Sequence, residues 1–278
     1  MGETVDIVGI VLVRDEDIYI RQVLENILAF CDRIIVADNL SRDRTAGEVA
    51  SLMRRTGKIE YHRIARTGKS HELIAGYADQ PRWIFAVDGD ELYDPAGLDT
   101  LRKRLLRGDF EEWWMILGNV LHCRELNREK GYARGYLTPP CRSMTKLYNF
   151  SKINRWDGPC AERLHGGRID FKQGYSMARR LLLYEKMDWE TSFFRCLHLC
   201  FLPRSSREPV APGGLIVRKN IVEKRLECFP RNVLNLFRKV FGKKGAPVYK
   251  REMYMRGALV QKEIDPFFTG RDGLRTSK

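Results

Sequence analysis

From residue 5 the chain alternates short β-branched runs with stretches whose apolar residues recur at helical spacing. "VDIVGIVLV" (5–13), "RIIVAD" (33–38), "KIEYHRI" (58–64) and "RWIFAVD" (82–88) read as four strands. Between the first two, Ile20, Val23, Leu24, Ile27 and Leu28 fall on one helical stripe within 17–30. A second helix is expected near 45–55, with Asp43 or Thr45 as N-cap, and a third over "KSHELIAGYA" (69–78). Strands and helices in this alternation predict βα units and a mainly parallel sheet flanked by helices.

Beyond a helix over "LDTLRKRLLR" (98–107) the pattern is less regular. "EWWMILGNVLH" (112–122) reads as a strand, "REKGYARGYLTPP" (128–140) as a loop, and "SMTKLYNF" (143–150) and "INRWDG" (153–158) as short extended pieces. Helical periodicity returns after residue 217 in "VRKNIVEKRLECF", "RNVLNLFRKVF" and "YKREMYMRGALVQKEI", with "GKKGAP" (242–247) breaking the last two. The expected division is a catalytic domain over 1–202, with a nucleotide-binding half to about 110 and an acceptor half over 111–202, followed by a basic helical region over 203–278.

Composition sharpens that division. The formal charge of +13 is concentrated at the end: residues 203–278 carry 18 Lys or Arg against 7 Asp or Glu, a net of +11. Such a region attracts an anionic membrane surface, nucleic acid or another acidic partner, and composition does not choose among them. Charges interrupt the N-terminus from Glu3 onward, no apolar run is long enough to span a bilayer, and the seven Cys show no Cys-x-x-Cys pair. The expectation is a cytoplasmic protein with reduced cysteines, peripheral to a membrane if the basic region rests on lipid.

The fourth strand ends in "FAVDGDELYD", which crowds Asp88, Asp90 and Glu91 into four positions. Like charges so close repel one another unless a cation sits among them. Two carboxylates of this kind plus substrate phosphates suit Mg²⁺ or Mn²⁺, and the implied substrate carries a diphosphate. A calcium-binding EF-hand is excluded, because Leu92 and Tyr93 stand where that loop needs an oxygen ligand and glycine. Ligands of open α/β sheets bind beyond the carboxyl ends of the strands, where Asp15, Glu16 and Asp38 also fall.

The pieces "VLVRDED", "VADNLSRDRT", "TGKSHELIAGYA" and "FAVDGDE" occur in the order and rough spacing of the nucleotide-binding half of family 2 glycosyltransferases, which have the GT-A fold. The resemblance covers about residues 5–100 well and 100–200 loosely. It implies a metal-dependent transfer of a sugar from a nucleotide-diphosphate sugar to an acceptor hydroxyl, with inversion. Arg14, Asp15 and Glu16 match the segment near the nucleotide base. Asp38, Asn39, Leu40, Ser41, Asp43 and Thr45 match the family's Asp-Asp-Gly-Ser-x-Asp-x-Thr, with Leu40 where the family carries glycine. Asp38 would then bind base or ribose, and Lys69 matches a basic residue near the nucleotide. Asp88, Gly89 and Asp90 match the Asp-x-Asp motif, with Asp90 the direct metal ligand and Asp88 on ribose or a metal-bound water. Asp38 equally reads as a turn-forming residue, and Lys69 as a solvent-facing helix start.

A carboxylate must take the acceptor's proton. "WDGPCAERLHGG" (156–167) offers Glu162, the preferred base, and Asp157; Glu162 reads equally as a surface partner of Arg163. His198 resembles a late family histidine that reaches metal or diphosphate. Alternation places it on one face with Cys196 and Cys200, which leaves open a structural histidine or a Cys/His metal site. His165 is a further candidate ligand and Arg204 a phosphate contact. Trp113 and Trp114 read as sugar-stacking or core residues, and Tyr132, Arg134 and Tyr136 as a closing loop. Lys243, Lys244, Lys250 and Arg251 form a basic face. The acceptor classes are a glycan or lipid-linked precursor or, alternatively, DNA with a hydroxymethylated base. A non-catalytic nucleic-acid or membrane-binding protein on the same fold is the remaining alternative.

Overall fold

The computed structural model describes residues 6–66, 68–157, 167–208 and 253–268. Its centre is a parallel array of β1 (Asp6–Val13), β2 (Arg33–Asp38), β3 (Ile59–Arg63) and β4 (Arg82–Asp88), in the spatial order β3-β2-β1-β4. The antiparallel β9 (Lys146–Asn149) continues the sheet beyond β4, followed by β6 (Met115–Leu117) and β12 (Arg180–Leu182), giving seven mainly parallel strands. The expected α/β class with a mainly parallel sheet is therefore observed.

Alternation along the central strands makes two cores. Ile7, Val11, Val13, Ile34, Val36, Phe85 and Val87 face one cluster, while Val8, Ile10, Leu12, Ile35, Ala37, Ile84 and Ala86 face the other. A strand buried on both faces needs apolar residues at every position, which is why these runs are continuous. The first cluster is closed by α1 (Ile20–Ile27), α2 (Thr45–Met53) and α4 (Pro95–Leu106). In α1 the stripe Ile20, Val23, Leu24 and Ile27 is fully buried. Helix α4 begins three residues before the sequence pattern suggests, because the Asp94 side chain caps it by accepting from the Ala96 and Gly97 amides, and Pro95 fits its first turn. The third helix is shorter than expected, with α3 covering Lys69–Glu72 and a 3-10 turn at Ala75–Tyr77.

A second sheet has the order β14-β8-β7-β13-β5, formed by β14 (Leu259–Glu263), β8 (Tyr132–Leu137), β7 (Asn119–Asn127), β13 (Arg195–His198) and β5 (Glu91–Tyr93). Three expectations are corrected here. The run 112–122 divides at Gly118 into β6 and β7, which belong to different sheets. Residues 132–137, expected in a loop, form β8 in the interior of the second sheet. Gly131 just before it and Gly135 within it disguise it, and Gly135 is required there because a Cβ would lie 2.3 Å from the His122 carbonyl oxygen. The helical reading of "YKREMYMRGALVQKEI" fails over Leu259–Glu263, which pairs antiparallel with β8; Val260 and Lys262 alternate with the more exposed Leu259, Gln261 and Glu263. Ile264 and Phe267 then enter the main core, so 253–268 packs with the body of the protein. The remainder of the basic region expected to be helical, with Lys243, Lys244, Lys250 and Arg251, lies outside the described residues. A smaller ladder joins β10 (Ile153–Asp157) to β11 (Arg168–Phe171). Among the described residues no helix is long and apolar enough to cross a membrane.

Candidate active site

Register brings the acidic groups together. Val13 pairs with Asp38, Leu12 with Asp88, and Asp38 with Arg63, so β1, β2, β3 and β4 end along one edge. On the β1–β2 side the acids are held mainly by amides and hydroxyls. Asp38 is fully buried and accepts from the Ser41 amide at 2.7 Å and the Tyr61 hydroxyl at 2.5 Å. Leu40 takes φ 57°, so the glycine-like turn is retained although a leucine occupies it. The Ser41 hydroxyl accepts from the Asp15 amide, Thr45 from the Glu16 amide, and Asp43 from the Thr45 amide. Arg14 donates to Asn39 at 3.2 Å. Asp17 accepts from Ser206 and Arg44; burial alone would raise its carboxyl, yet these bonds hold it below the usual aspartate value.

The β4–β5 side differs in kind. Asp88, Asp90 and Glu91 are all buried. Gly89 allows this, because a Cβ there would fall 1.7 Å from Glu16 Oε2; the glycine makes room for a further carboxylate. Burial, with smaller contributions from Asp88 and Asp90 and against that of Lys146, pushes the Glu91 carboxyl up to about 8, which favours its neutral, protonated form. Its Oε2 accepts from the Asp88 amide and the Tyr93 hydroxyl.

Two protein cations stand among these acids. Lys146, on β9 opposite Ala86, places Nζ 3.7 Å from both Asp88 Oδ1 and Glu91 Oε1. Arg204 Nη1 donates to Asp90 Oδ2 and, at 3.1 Å, to Glu16 Oε1. The sequence expectation that the crowding demands a metal is thus only partly met, since the chain supplies two positive charges itself. Glu91 aside, Glu16, Asp88 and Asp90 still outnumber Lys146 and Arg204 among the described residues. Lys146 carried a signal that sequence reading overlooked: a lone lysine in the apolar run "SMTKLYNF" whose strand is wholly buried.

His198 lies at the end of β13, in register with Glu91 of β5 and His122 of β7. Its Nε2 is 3.8 Å from Asp90 Oδ2, and its Nδ1 is 2.8 Å from His122 Nδ1. His122 Nε2 in turn contacts the Arg142 carbonyl oxygen at 2.9 Å. Burial drives His122 down to about 4 and keeps it neutral. Tyr254 stacks on His122 with centroids 4.6 Å apart and meets His198 edge-on. Cys200 does approach this pair, and the donor atoms of His122, His198 and Cys200 lie within 4.8 Å of one another. The group holds His122 from another strand in place of the expected Cys196.

The segment 199–208 spans both sides. Leu199 donates to the Asp90 carbonyl, the Arg204 carbonyl accepts from Ile18, Ser205 Oγ donates to Asp43, and Ser206 bonds Asp17. Other expected residues are placed elsewhere. Lys69 faces solvent and meets Glu72 at 3.4 Å. Asp157 ends β10, partly exposed and paired with Arg155. Glu162 and His165 lie outside the described residues. Trp114 is core, packed against Tyr148, Trp156 and Phe171, which removes it as a sugar platform; Trp113 is partly buried against the main core with Lys186 over its ring. Tyr132 and Arg134 pair with Glu125 within β7–β8 and, with Tyr136, belong to a strand that cannot serve as a closing loop.

No protein-family model matches this chain, and no curated protein matches it. Among solved structures it is similar to a mannosyltransferase from Pyrobaculum calidifontis in complex with GDP-Man and Mn²⁺, at 13% identity and a TM-score of 0.40, covering 89% of this chain and 67% of that one. It is also similar to glucosyl-3-phosphoglycerate synthase from Mycobacterium tuberculosis in complex with phosphoglyceric acid, at 15% identity and a TM-score of 0.36, covering 53% of this chain and 58% of that one. Likenesses this distant carry no residue role from one chain to the other.

Proposed function

We propose that this chain is a metal-dependent glycosyltransferase of GT-A type, transferring a sugar from a nucleotide-diphosphate sugar to an acceptor hydroxyl. One observation carries the reading: Asp90, in the turn between β4 and β5, and His198, at the end of β13, bring an oxygen and a nitrogen to 3.8 Å at the edge where β1, β2 and β4 end. That separation is less than twice a metal–ligand bond of about 2.1 Å, so one ion can touch both. The hard oxygen and imidazole donors suit Mn²⁺ or Mg²⁺.

In this reading Asp90 and His198 hold the cation, with Asp88 alongside. The bound cation supplies Lewis-acid stabilisation of the departing diphosphate. Lys146 provides fixed positive charge beneath Asp88, and neutral Glu91 spares the site a further anion. Arg204 brings a guanidinium fork suited to phosphate oxygens. The turn built on Asp38 and Ser41 shapes the wall that faces the nucleoside, beside Arg14 and Glu16. Asp157, and Glu162 beyond it, are the carboxylates proposed to take the acceptor's proton, with inversion as the expected outcome.

Thermal melting with UDP-, GDP- and dTDP-sugars, each with and without Mn²⁺, tests the proposal. One donor is expected to raise the midpoint only when metal is present, by mass action on the folded state. Asp90→Asn is expected to abolish that rise. Equal stabilisation of Asp90→Asn and the parent in excess chelator overturns the reading, as does a complete absence of response to every donor.

A further inference from the structure

Three arginines gather where β7, the segment after β8 and the approach to β14 cross. The Arg142 amide donates to the Met253 carbonyl at 3.0 Å, the Arg256 amide donates to Cys141 Sγ at 3.2 Å, and Arg124 Nη1 lies 3.9 Å from Met255 Sδ. We propose that Arg124, Arg142 and Arg256 form a subsite that binds a phosphate group carried by the acceptor. Calling the ligand an acceptor rests on the glycosyltransferase reading; the anion site stands on its own geometry.

Arg124 owes its position to an irregularity in the ladder. Cys123 pairs with Gly135 and Glu125 with Arg134, so Arg124 is the extra residue of a β-bulge, a device that re-aims a side chain. Its half-buried guanidinium is turned to Met255 Sδ and to the Phe201 ring, 6.0 Å from the centroid, and neither partner carries a charge to answer its own. Among the described residues no carboxylate lies within ion-pair distance of Arg124, Arg142 or Arg256, whereas Arg134, on the neighbouring strand of the same ladder, meets Glu125 at 3.8 Å. Like charges gathered in this way repel one another and favour an anion among them. Arg142 and Arg256 are exposed, so their long side chains can swing onto a ligand held at Arg124. Three guanidinium groups suit the several oxygens and near-double charge of a phosphate monoester better than a single carboxylate.

The place of this crossing relative to Asp90 points to the acceptor rather than the donor. From Arg142 the contacts run through its carbonyl to His122 Nε2 at 2.9 Å, across the β7–β13 ladder to His198, and on to Asp90 Oδ2, 3.8 Å from His198 Nε2. From Asp90 they continue the other way, through Arg204 and Ser205, to Asp43 in the turn that also holds Asp38 and Ser41. Along these contacts Asp90 stands between the arginines and the wall proposed to face the nucleoside. A sugar leaving a donor on that wall meets its acceptor on the far side of Asp90, where these arginines lie. The alternative, cations that merely cover Phe201 and Met255, predicts no anion binding.

Isothermal titration of the whole chain with glycerol 3-phosphate, and with glycerol as the uncharged control, tests the subsite without donor or metal. The parent is expected to bind the phosphate and not glycerol. Arg124→Met, which keeps apolar packing on Met255 and Phe201, is expected to lose about 10-fold or more in affinity, as for a charged hydrogen-bond donor, with Arg124→Lys in between. Arg142→Gln combined with Arg256→Gln, changed only at exposed positions, is expected to weaken binding as well, and it decides the matter should Arg124→Met not fold. Sedimentation with phosphatidylcholine vesicles, with and without phosphatidic acid, separates the sources of the phosphate. Arginine-dependent binding of glycerol 3-phosphate marks a soluble acceptor; arginine-dependent binding seen only with phosphatidic acid marks a lipid headgroup. Absence of binding to both probes overturns the inference, as does binding unchanged in the arginine variants or lost only in Arg204→Met. If arginine-dependent binding is found while no nucleotide sugar stabilises the chain, the glycosyltransferase reading fails and the anion site stands. Donor-dependent stabilisation without it leaves that reading and removes this one.

Discussion

The two sides of the strand edge neutralise their acids by opposite means. Beside β1 and β2, Asp15, Asp38 and Asp43 are answered chiefly by backbone amides and hydroxyls, and the acids act as joints of the turns. Beside β4, Asp88, Asp90 and Glu91 are answered by Lys146, Arg204, a histidine and a proton. Dipoles fix geometry and leave little to gain from a new ion, whereas buried carboxylates answered by whole charges, as among the described residues here, can exchange one cation for another. The difference separates a scaffold from a site that can exchange its charges.

Removing a cation from the second region tests this contrast most severely. Lys146→Met leaves Asp88 and Glu91 without their nearest positive charge and is expected to lower stability in urea at pH 7 by about 3–5 kcal/mol. Arg44→Met, which removes the exposed partner of Asp17, is expected to change it by less than about 1 kcal/mol. Similar losses in the two variants would erase the distinction.

Acidity sharpens the contrast through opposite signs. Glu91 has a folded pKa raised to about 8 from an unfolded value near 4.5, so the folded chain binds the extra proton between those limits. Its contribution is therefore full below about pH 4.5 and is lost as pH rises toward 8, with a slope of at most about 1.4 kcal/mol per unit. Asp17 is depressed below 3.8, so its contribution is present above that pH and is lost as pH falls through the folded value. Urea melts across pH should show Glu91→Gln gaining on the parent as pH rises from 5 to 8, and Asp17→Asn losing its disadvantage only in acid. Parallel profiles for both variants would refute the assigned signs.

The smallest effect belongs to the first region's turn. Leu40 at φ 57° carries strain that glycine lacks, partly offset by glycine's greater freedom when unfolded. Leu40→Gly is expected to stabilise by up to about 1 kcal/mol, read from the thermal midpoint; a clear loss would show that Leu40 side-chain contacts outweigh the strain.

These regions also differ in what the sequence discloses. β1, β2 and β4 are legible because burial on both faces writes an uninterrupted apolar run, and the Asp38 turn is legible because its partners lie within a few residues. β8 and β14 are obscured because each presents a mixed, glycine-bearing or charged pattern that acquires strand geometry only by pairing, β8 with both β7 and β14 and β14 with β8. The partners of the acid cluster are hidden by distance along the chain: Arg204 lies 114 residues from Asp90, and His122 lies 76 from His198. Short motifs record the acids themselves, while the groups that set their charge arrive from remote segments with no local signature.

The ten residues from 199 to 208 bind the two regions into one thermodynamic system. Arg204 grips Asp90 while its immediate successors, Ser205 and Ser206, grip Asp43 and Asp17. An event that draws Arg204 from Asp90 therefore strains bonds on the opposite wall, and reciprocity requires an occupant of that wall to alter affinity at Asp90 by the same factor. Cation and nucleoside would then meet a chain that weighs them jointly.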